Sequence, residues 1–276
     1  MKSLFLSSLL ALGLLAVPAQ AAEYPAKPIT LMTAFNAGGG SDVSHRLLEK
    51  FAKGVFDQPI VVTYKAGAGG EIGWTWLVGA KADGYNIGGV DLPHIVLQPM
   101  LRPEGQPGYK TEQLNPLCCL VFDPDILIVS EKSPFKSFGE LIEYAKANPG
   151  KVKVATVGKL TGDHLFLMQI EKLTGAKFTQ VPYSGSGKAI PALLSGEVDA
   201  YFGSGSSFLR MEKTRGLAIG SKERYELCPD VPTFIEQGYA IESGKYRGLA
   251  TPQNIPAEAR QYLETKFAEL CANPEY

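Results

Sequence analysis

The turn from Phe35 to Asp42, with the sequence FNAGGGSD, is the segment of this chain best suited to bind an anion. It lies between an apolar run typical of a strand and a run with the spacing of an amphipathic helix. Glycines let the main chain approach a ligand closely, and the first N–H groups of a helix have no partners within that helix. Because such N–H groups attract negative charge, the turn is predicted to bind a carboxylate or a phosphate.

A second glycine-rich segment, Gly67–Gly73, follows another strand-like run. Its spacing is Gly-x-Gly-x-x-x-Gly, whereas dinucleotide-binding turns typically have Gly-x-Gly-x-x-Gly. An exported oxidoreductase that binds a dinucleotide at this loop is therefore the alternative function, and the less favoured one.

Residues that usually perform catalysis or bind metals form no recognisable motif. His45, His94 and His164 share no metal-ligand spacing, and no Gly-x-Ser-x-Gly motif is present. The 4 cysteines lack Cys-x-x-Cys spacing. We therefore predict no enzyme activity, no metal and no cofactor. Buried free thiols are the expectation for the cysteines, and a bridge between Cys228 and Cys271 is the alternative.

The N-terminal residues are typical of a secretory signal peptide. A short positive start precedes an apolar run from Leu4 to Val17, and a small-x-small pattern ends at Ala21. The run is too short to span a bilayer comfortably, so we expect cleavage after Ala21 and export. The charge is balanced, with 27 basic and 28 acidic residues and a net charge of -1. This balance disfavours nucleic acid or an acidic membrane surface as the partner and favours a small molecule.

Strand-like and helix-like runs alternate along the rest of the chain. This order predicts parallel sheets flanked by helices, with ligands bound at the carboxyl ends of the strands. A Pro- and Gly-rich break at residues 102–116 separates two such series, which predicts two α/β lobes with a ligand cleft between them. Lobe 1 is predicted to comprise residues 22–124 and 228–276, and lobe 2 residues 125–227. The predicted strands are 29–33, 60–62, 85–90, 126–129, 152–156, 178–181 and 199–202, and helices follow at 138–147, 164–173, 189–194 and 257–272.

Several short phrases occur in one order along the chain: YPAKPI at 24–29, GGGSD at 38–42, GAGGEIG at 67–73, DGY at 83–85, AKANPGK at 145–151, VPY at 181–183 and PDVPT at 229–233. In this order they resemble the tripartite tricarboxylate transporter substrate-binding family, also called Bug proteins. The resemblance implies a periplasmic-binding-protein-like fold whose two lobes close over a small carboxylate-bearing solute. It also implies a monomer that delivers the solute to a membrane permease or to a sensor receptor. A purely sensory ligand-binding module is a further alternative.

The resemblance places one carboxylate-gripping loop at residues 35–42 and a second, from the opposite lobe, at residues 156–164. Backbone N–H groups, hydroxyls and ordered waters of these loops would hold one carboxylate, while residues 183–187 and 204–206 would contact the rest of the solute. The candidate binding residues are Phe35, Asn36, Gly38, Gly39, Ser41, Asp42, Thr156, Gly158, Lys159, Thr161, Gly162, Asp163, His164, Tyr183, Ser184, Ser204, Gly205 and Ser206.

The chain departs from the family pattern in the second loop, where Lys159 and Asp163 replace residues that are usually small and neutral. Either the two charges pair with each other as a clasp, or they face a second charged group on the solute. Ser184 also stands where the family often has lysine. Family members usually continue well beyond a phrase such as the final Asn273–Tyr276, so we expect either further C-terminal elements or an unusually short member.

Overall fold

The structure, a computed structural model, describes residues 23–103 and 108–276. The predicted signal peptide at residues 1–21 lies outside the described residues. The strands are β1 (Ile29–Thr33), β2 (Ile60–Tyr64), β3 (Asn86–Leu92), β4 (Leu114–Ser130), β5 (Lys153–Thr156), β6 (Thr179–Pro182), β7 (Ala200–Ser204), β8 (Thr214–Ile219) and β9 (Gly244–Pro252). The helices are α1 (Gly40–Ala52), α2 (Glu71–Val78), α3 (His94–Leu101), α4 (Phe138–Ala147), α5 (Gly162–Thr174), α6 (Ser186–Ser195), α7 (Gly205–Phe208) and α8 (Ala257–Cys271).

Parallel strands joined by helices form the outer part of each lobe. In the first lobe β1 pairs in parallel with β2 and β3, and in the second lobe β5 pairs in parallel with β6 and β7. Helix α1 starts beyond the carboxyl end of β1, and α5 starts beyond the carboxyl end of β5. The predicted two-lobed α/β fold is confirmed, and both predicted carboxylate-gripping loops lie at strand ends, where α/β sheets bind their ligands.

Two long antiparallel strands join the lobes. Strand β9 pairs with β3 of the first lobe and with β4, and β4 in turn pairs with β7 and β8 of the second lobe. One continuous sheet therefore runs in the order β2-β1-β3-β9-β4-β7-β5-β6, with β8 also on β4. The sequence predicted only residues 126–129 of β4 and did not predict β9. Strand β4 contains Pro116 and Pro124 and two register shifts against β9, which disrupt the expected alternation.

Residues 228–243 belong with the second lobe, so the boundary predicted at residue 228 lies too early. The Phe234 ring is edge-on to Phe138 at 4.9 Å and to Phe166 at 5.3 Å between ring centroids. Ile241 is buried in the same apolar cluster. The chain returns to the first lobe only at β9, where Leu249 packs with the first-lobe core.

All four cysteines lie within the described residues and have free thiols, so the alternative of a bridge between Cys228 and Cys271 is not found. Cys228 is buried as expected, whereas Cys271 and Cys119 are exposed. Within the described parts of the chain, no helix combines the length and the apolar character that crossing a membrane requires.

The packing of Phe234 generates a stability prediction. Phe234→Ala should lower the free energy of unfolding by about 3–5 kcal/mol, because it opens a cavity between Phe138 and Phe166. The neighbouring change Ile235→Ala is the control: Ile235 is 44% exposed, and the expected loss is about 0.5 kcal/mol. Urea denaturation of both variants measures the difference, and equal losses would contradict the assignment of this segment to the second-lobe core.

Candidate ligand-binding site

A cavity of ≈ 30 Å³ lies between the two lobes. A cavity of this size holds no more than a few water molecules, so the lobes are closed upon each other and must separate to admit a solute. The first lobe and the second lobe both contribute lining residues, and β9 forms one wall. The lining residues are Phe35, Gly39, Gly40, Ser41, Asp91, His94, Val157, Asp163, Ser186, Tyr201, Phe202, Gly203, Ser204, Lys245 and Arg247.

The amino-terminal turns of three helices contribute to this lining. Gly40 begins α1, Ser186 begins α6, and Asp163 is the second residue of α5. For each of these described helices, the side chain of the residue before the helix makes no capping hydrogen bond. Since the amino-terminal end of a helix also carries partial positive charge, the cavity is suited to an anionic group.

Lys245 connects the central strands to the start of α5. Its side chain is 6% exposed, and its ammonium group forms an ion pair with Asp125 of β4. The same nitrogen lies 2.9 Å from Oδ1 of Asp163. Burial acts to lower the pKa of Lys245, but the charges of Asp125 and Asp163 outweigh it and raise this pKa above its ordinary value. The lysine therefore stays charged and holds α5 against β9.

Arg247 makes the corresponding connection to the start of α1. Its guanidinium pairs with Asp123 of β4 through Nη1, and its Nε lies 3.3 Å from Oδ1 of Asp91 on β3. The Ser41 hydroxyl in the first turn of α1 donates to the same Asp91 oxygen at 2.8 Å. A Cβ at Gly40 would clash with the Arg247 guanidinium, 2.8 Å from Cζ. Glycine at this position is therefore what lets the helix approach the arginine.

The two aspartates of Arg247 have opposite pKa shifts. Burial raises the pKa of Asp91, although Arg247 and Ser41 act against that shift. Burial also acts to raise the pKa of Asp123, but the Arg247 charge and hydrogen bonds from Ser206 outweigh it and hold this pKa below its usual value. Asp123 is therefore the firmly ionised partner of the arginine.

Two buried histidines lie beside these charges in the neutral form. Burial, with a smaller contribution from Arg247, lowers the pKa of His45 to about 4. Burial and then the Lys245 charge lower the pKa of His94 to about 3. Nδ1 of His45 lies 2.7 Å from the Thr33 hydroxyl, whereas Nδ1 of His94 has no hydrogen-bond partner among the described residues.

The first predicted loop lies at the cavity, but only some of its residues line it. Phe35, Gly39 and Ser41 line the cavity. The Asn36 amide donates to the Ser184 hydroxyl at 2.8 Å and so connects the two lobes across the cleft. Asp42 does not line the cavity.

The local contacts of Asp42 explain its position. Its carboxylate accepts the Gly38 N–H at 2.8 Å and the Tyr64 hydroxyl at 2.5 Å. The carbonyl of Gly38 accepts from Arg210 of the second lobe at 3.3 Å. These contacts stabilise the turn and leave its cavity face to Gly39 and Ser41.

In the second predicted loop, the threonine hydroxyls form hydrogen bonds within the loop itself. Thr156 and Thr161 both donate to the Gly158 carbonyl, at 3.2 and 3.0 Å. His164 is half-buried, and its Nδ1 accepts the Leu160 N–H at 3.2 Å within the same turn. Gly162 lies against the His94 ring. The loop therefore offers the cavity Asp163 and its backbone rather than the threonine hydroxyls.

The clasp between Lys159 and Asp163, one of the alternatives that the sequence left open, is not found. Lys159 is exposed, whereas Asp163 is 1% exposed and faces Lys245. The sequence could not indicate this pairing, because Lys245 lies far along the chain in a strand that was not predicted.

The segments predicted to contact the rest of the solute are divided between the cavity and the central strands. Ser204 lines the cavity, while the Ser206 N–H donates to Asp123 at 3.0 Å. Gly205 packs against Tyr225. The Tyr183 hydroxyl donates to Glu197 at 2.7 Å, away from the cavity, and Ser184 accepts from Asn36 as described.

Several lining residues were not predicted from the sequence. One signal was present: Lys245 and Arg247 are two residues apart in a run that continues into apolar residues, so both side chains fall on one face of a strand. No such signal marked Asp91, His94, Tyr201, Phe202 and Gly203, whereas Ser186 lies within the predicted segment 183–187.

The glycines at residues 67–73 pack against the protein itself. A Cβ at Gly70 would lie 2.5 Å from the Trp74 ring, and one at Gly73 would lie 2.9 Å from Ala34. The carbonyl of Gly69 accepts from Gln98 at 2.7 Å. Close packing within the lobe therefore accounts for these glycines, and the dinucleotide alternative loses its main support.

Comparison with known proteins agrees with this geometry. Residues 45–276 match the family described as "Tripartite tricarboxylate transporter family receptor". The chain belongs to this family of receptors. It is 35% identical to Protein BugT of Bordetella pertussis over 233 residues, 82% of this chain and 70% of BugT.

Solved structures show the same architecture. The periplasmic binding protein BugD superposes with a TM-score of 0.86 at 29% identity, over 91% of this chain and 85% of that one. MatC from Rhodopseudomonas palustris, solved with bound malate, gives a TM-score of 0.83 at 25% identity, over 91% and 87% of the two chains. The chain is thus a solute-binding protein of a tripartite tricarboxylate receptor family whose members include periplasmic binding proteins.

The buried neutral histidines generate a pH prediction. Below the ordinary histidine pKa of 6.5 the unfolded chain binds protons at His45 and His94, while the folded chain stays neutral there until about pH 4 and about pH 3. Stability should therefore fall as the pH is lowered through this window, by up to about 1.4 kcal/mol per pH unit for each histidine.

The variant His45→Gln should remove one histidine's share of this slope. Urea denaturation at pH 7.0, 5.5 and 4.5 measures it against the unchanged chain. The raised pKa of Asp91 acts in the opposite direction, because it makes stability rise as the pH falls. Asp91 is present in both proteins, so its contribution cancels when the two slopes are compared. An unchanged slope in the variant would show that His45 does not titrate as its burial requires.

Proposed function

We propose that this protein captures a small carboxylate-bearing solute in the periplasm and delivers it to a membrane permease of the tripartite type, without chemical turnover. The observation that carries the proposal is the meeting of three uncapped helix starts, at Gly40, Gly162 and Ser186, beside a closed cavity between two lobes. A carboxylate placed there would accept hydrogen bonds from backbone N–H groups and from nearby hydroxyls.

Three further observations support the proposal. The N-terminal sequence is typical of an exported protein. The related MatC was solved with bound malate, which is a carboxylate of the expected size. The connecting strands β4 and β9 give the lobes two crossings about which they can open and close.

The proposed contacts for the solute carboxylate are the cavity-facing members of the predicted loops. Gly39, Gly40 and Ser41 would bind from the first lobe, and Ser186 and Ser204 from the second. Tyr201 would support them, because its hydroxyl donates to the Ser186 hydroxyl at 2.7 Å. Closing the cleft also brings Asn36 to Ser184, so the solute-bound form presents a surface that spans both lobes.

Binding is tested with the purified mature chain and a panel of mono-, di- and tricarboxylates in a thermal-shift assay. A ligand present at 100 times its Kd should stabilise the protein by about 2.7 kcal/mol. If no carboxylate stabilises a protein shown to be folded by circular dichroism, the proposed function is wrong.

Gly40→Ala should weaken binding of whichever panel members bind by at least about tenfold, or about 1.4 kcal/mol. The added methyl group would displace the Arg247 guanidinium and would lie 3.0 Å from the Ser204 hydroxyl. Gly54→Ala is the matched control, since a Cβ there meets no atom within 4 Å. Calorimetric titration compares the two, and equal affinities would place the solute away from the start of α1.

A further inference from the structure

Two carboxylates face the cavity with capacity to accept further hydrogen bonds. Asp91 and Asp163 both line it, whereas Asp123 and Asp125 do not. Oδ2 of Asp163 accepts the Val157 N–H at 3.0 Å, and its buried Oδ1 faces the Lys245 ammonium at 2.9 Å. Asp91 is 3% exposed. The cavity thus contains acidic groups from both lobes, which is unexpected in a site for a plain carboxylate.

The buried charges around the cavity do not balance. The four aspartates at positions 91, 123, 125 and 163 surround the two cations Lys245 and Arg247. With every carboxylate ionised the excess is two negative charges, and a proton on Asp91, whose pKa is raised by burial, would reduce it to one. The neighbouring histidines are neutral and do not reduce this excess. Burying uncompensated charge is unfavourable, so a compensating positive group is expected in the occupied site.

The helix starts compensate only part of this excess. Each supplies about half a positive charge, so the three together supply about 1.5 charges. The solute carboxylate that binds to them adds one negative charge of its own. A plain dicarboxylate adds two negative charges, whereas the same solute with an added ammonium group adds only one and so leaves the occupied cavity one charge closer to neutral.

One polar atom at the cavity wall lacks a partner among the described residues. His94 is 1% exposed, lines the cavity and has an Nδ1 without a hydrogen-bond partner among the described residues. A buried polar atom of this kind is costly unless something binds to it. Its ring lies against Gly162, the first residue of α5 and the neighbour of Asp163 in the chain.

We propose that the solute carries a cationic group beside its carboxylate, and that Asp91 and Asp163 determine this preference by accepting the cationic group. The carboxylate binds at the helix starts, and the cationic group lies between the acidic residues of the two lobes. This inference rests on the proposed function and narrows its solute class from carboxylates in general to amino carboxylates.

The test compares matched pairs that differ only by an amino group: succinate with aspartate, glutarate with glutamate, adipate with 2-aminoadipate, and butyrate with 4-aminobutyrate. Calorimetric titration of the wild-type protein at pH 7 should give at least tenfold tighter binding for the amino member of the best-binding pair. Equal or tighter binding of the plain members would overturn the inference while leaving the proposed function intact. Absence of binding in every pair would also overturn the inference, whereas the proposed function is decided by the wider carboxylate panel.

Variants test which residues determine the preference for amino carboxylates. Asp163→Asn and Asp91→Asn should each reduce the ratio of amino to plain affinity at least fivefold. Asp125→Asn is the matched control, because it removes a carboxylate from the same lysine as Asp163 but does not line the cavity, and it should change the ratio less than Asp163→Asn does. A ratio that is unaffected by Asp163→Asn and Asp91→Asn, or equally affected by the control, would contradict the assignment. If a variant does not fold, the wild-type comparison still decides the proposal.

Discussion

The two buried cations on β9 are the interaction on which the rest of the site depends. Lys245 holds the start of α5, and Arg247 holds Ser41 and Asp91 beside the start of α1. Each also pairs with an aspartate of β4. Since desolvation offsets much of the attraction in a buried ion pair, the main effect of this network is on geometry rather than on overall stability. It sets where two helix starts from opposite lobes meet.

The same arrangement keeps both cations paired while the cleft opens and closes. The partners of Lys245 lie on β4 and in the second lobe, and those of Arg247 lie on β4 and in the first lobe. Each cation therefore keeps a carboxylate of the central strands when the lobes move apart. The lobes can open without leaving either cation alone in an apolar environment, which would be costly.

Local signals made much of the fold predictable. Strand β1 and helix α4 were predicted with the observed ends, the helix because Asn148-Pro149-Gly150 stops it. Its start is also marked, since Ser137 caps it by accepting the Glu140 N–H. Helices α5 and α6 begin earlier than predicted, because Gly162 and Ser186 carry no apolar side chain that would extend the periodic pattern.

The site was only partly predictable because its charges are neutralised over long distances in sequence. The glycine turn was recognisable, since its chemistry lies in consecutive residues. Lys245 and Asp125 are separated by 120 positions, and Arg247 and Asp123 by 124, so neither aspartate could be identified as a partner beforehand. A strand that contains lysine and arginine also contradicts the apolar pattern by which buried strands are recognised.

The spacing of Lys245 and Arg247 has a consequence for how the central strands align. Side chains alternate between the two faces of a strand, so a slip of β9 by one residue would turn both cations away from the cavity and leave the carboxylates of β4 unneutralised. Strand β4 shifts register twice against β9, between Pro116 and Cys118 and between Cys119 and Val121. Electrostatic pairing thus selects one alignment for a pair of strands whose irregular pleating would otherwise specify it weakly.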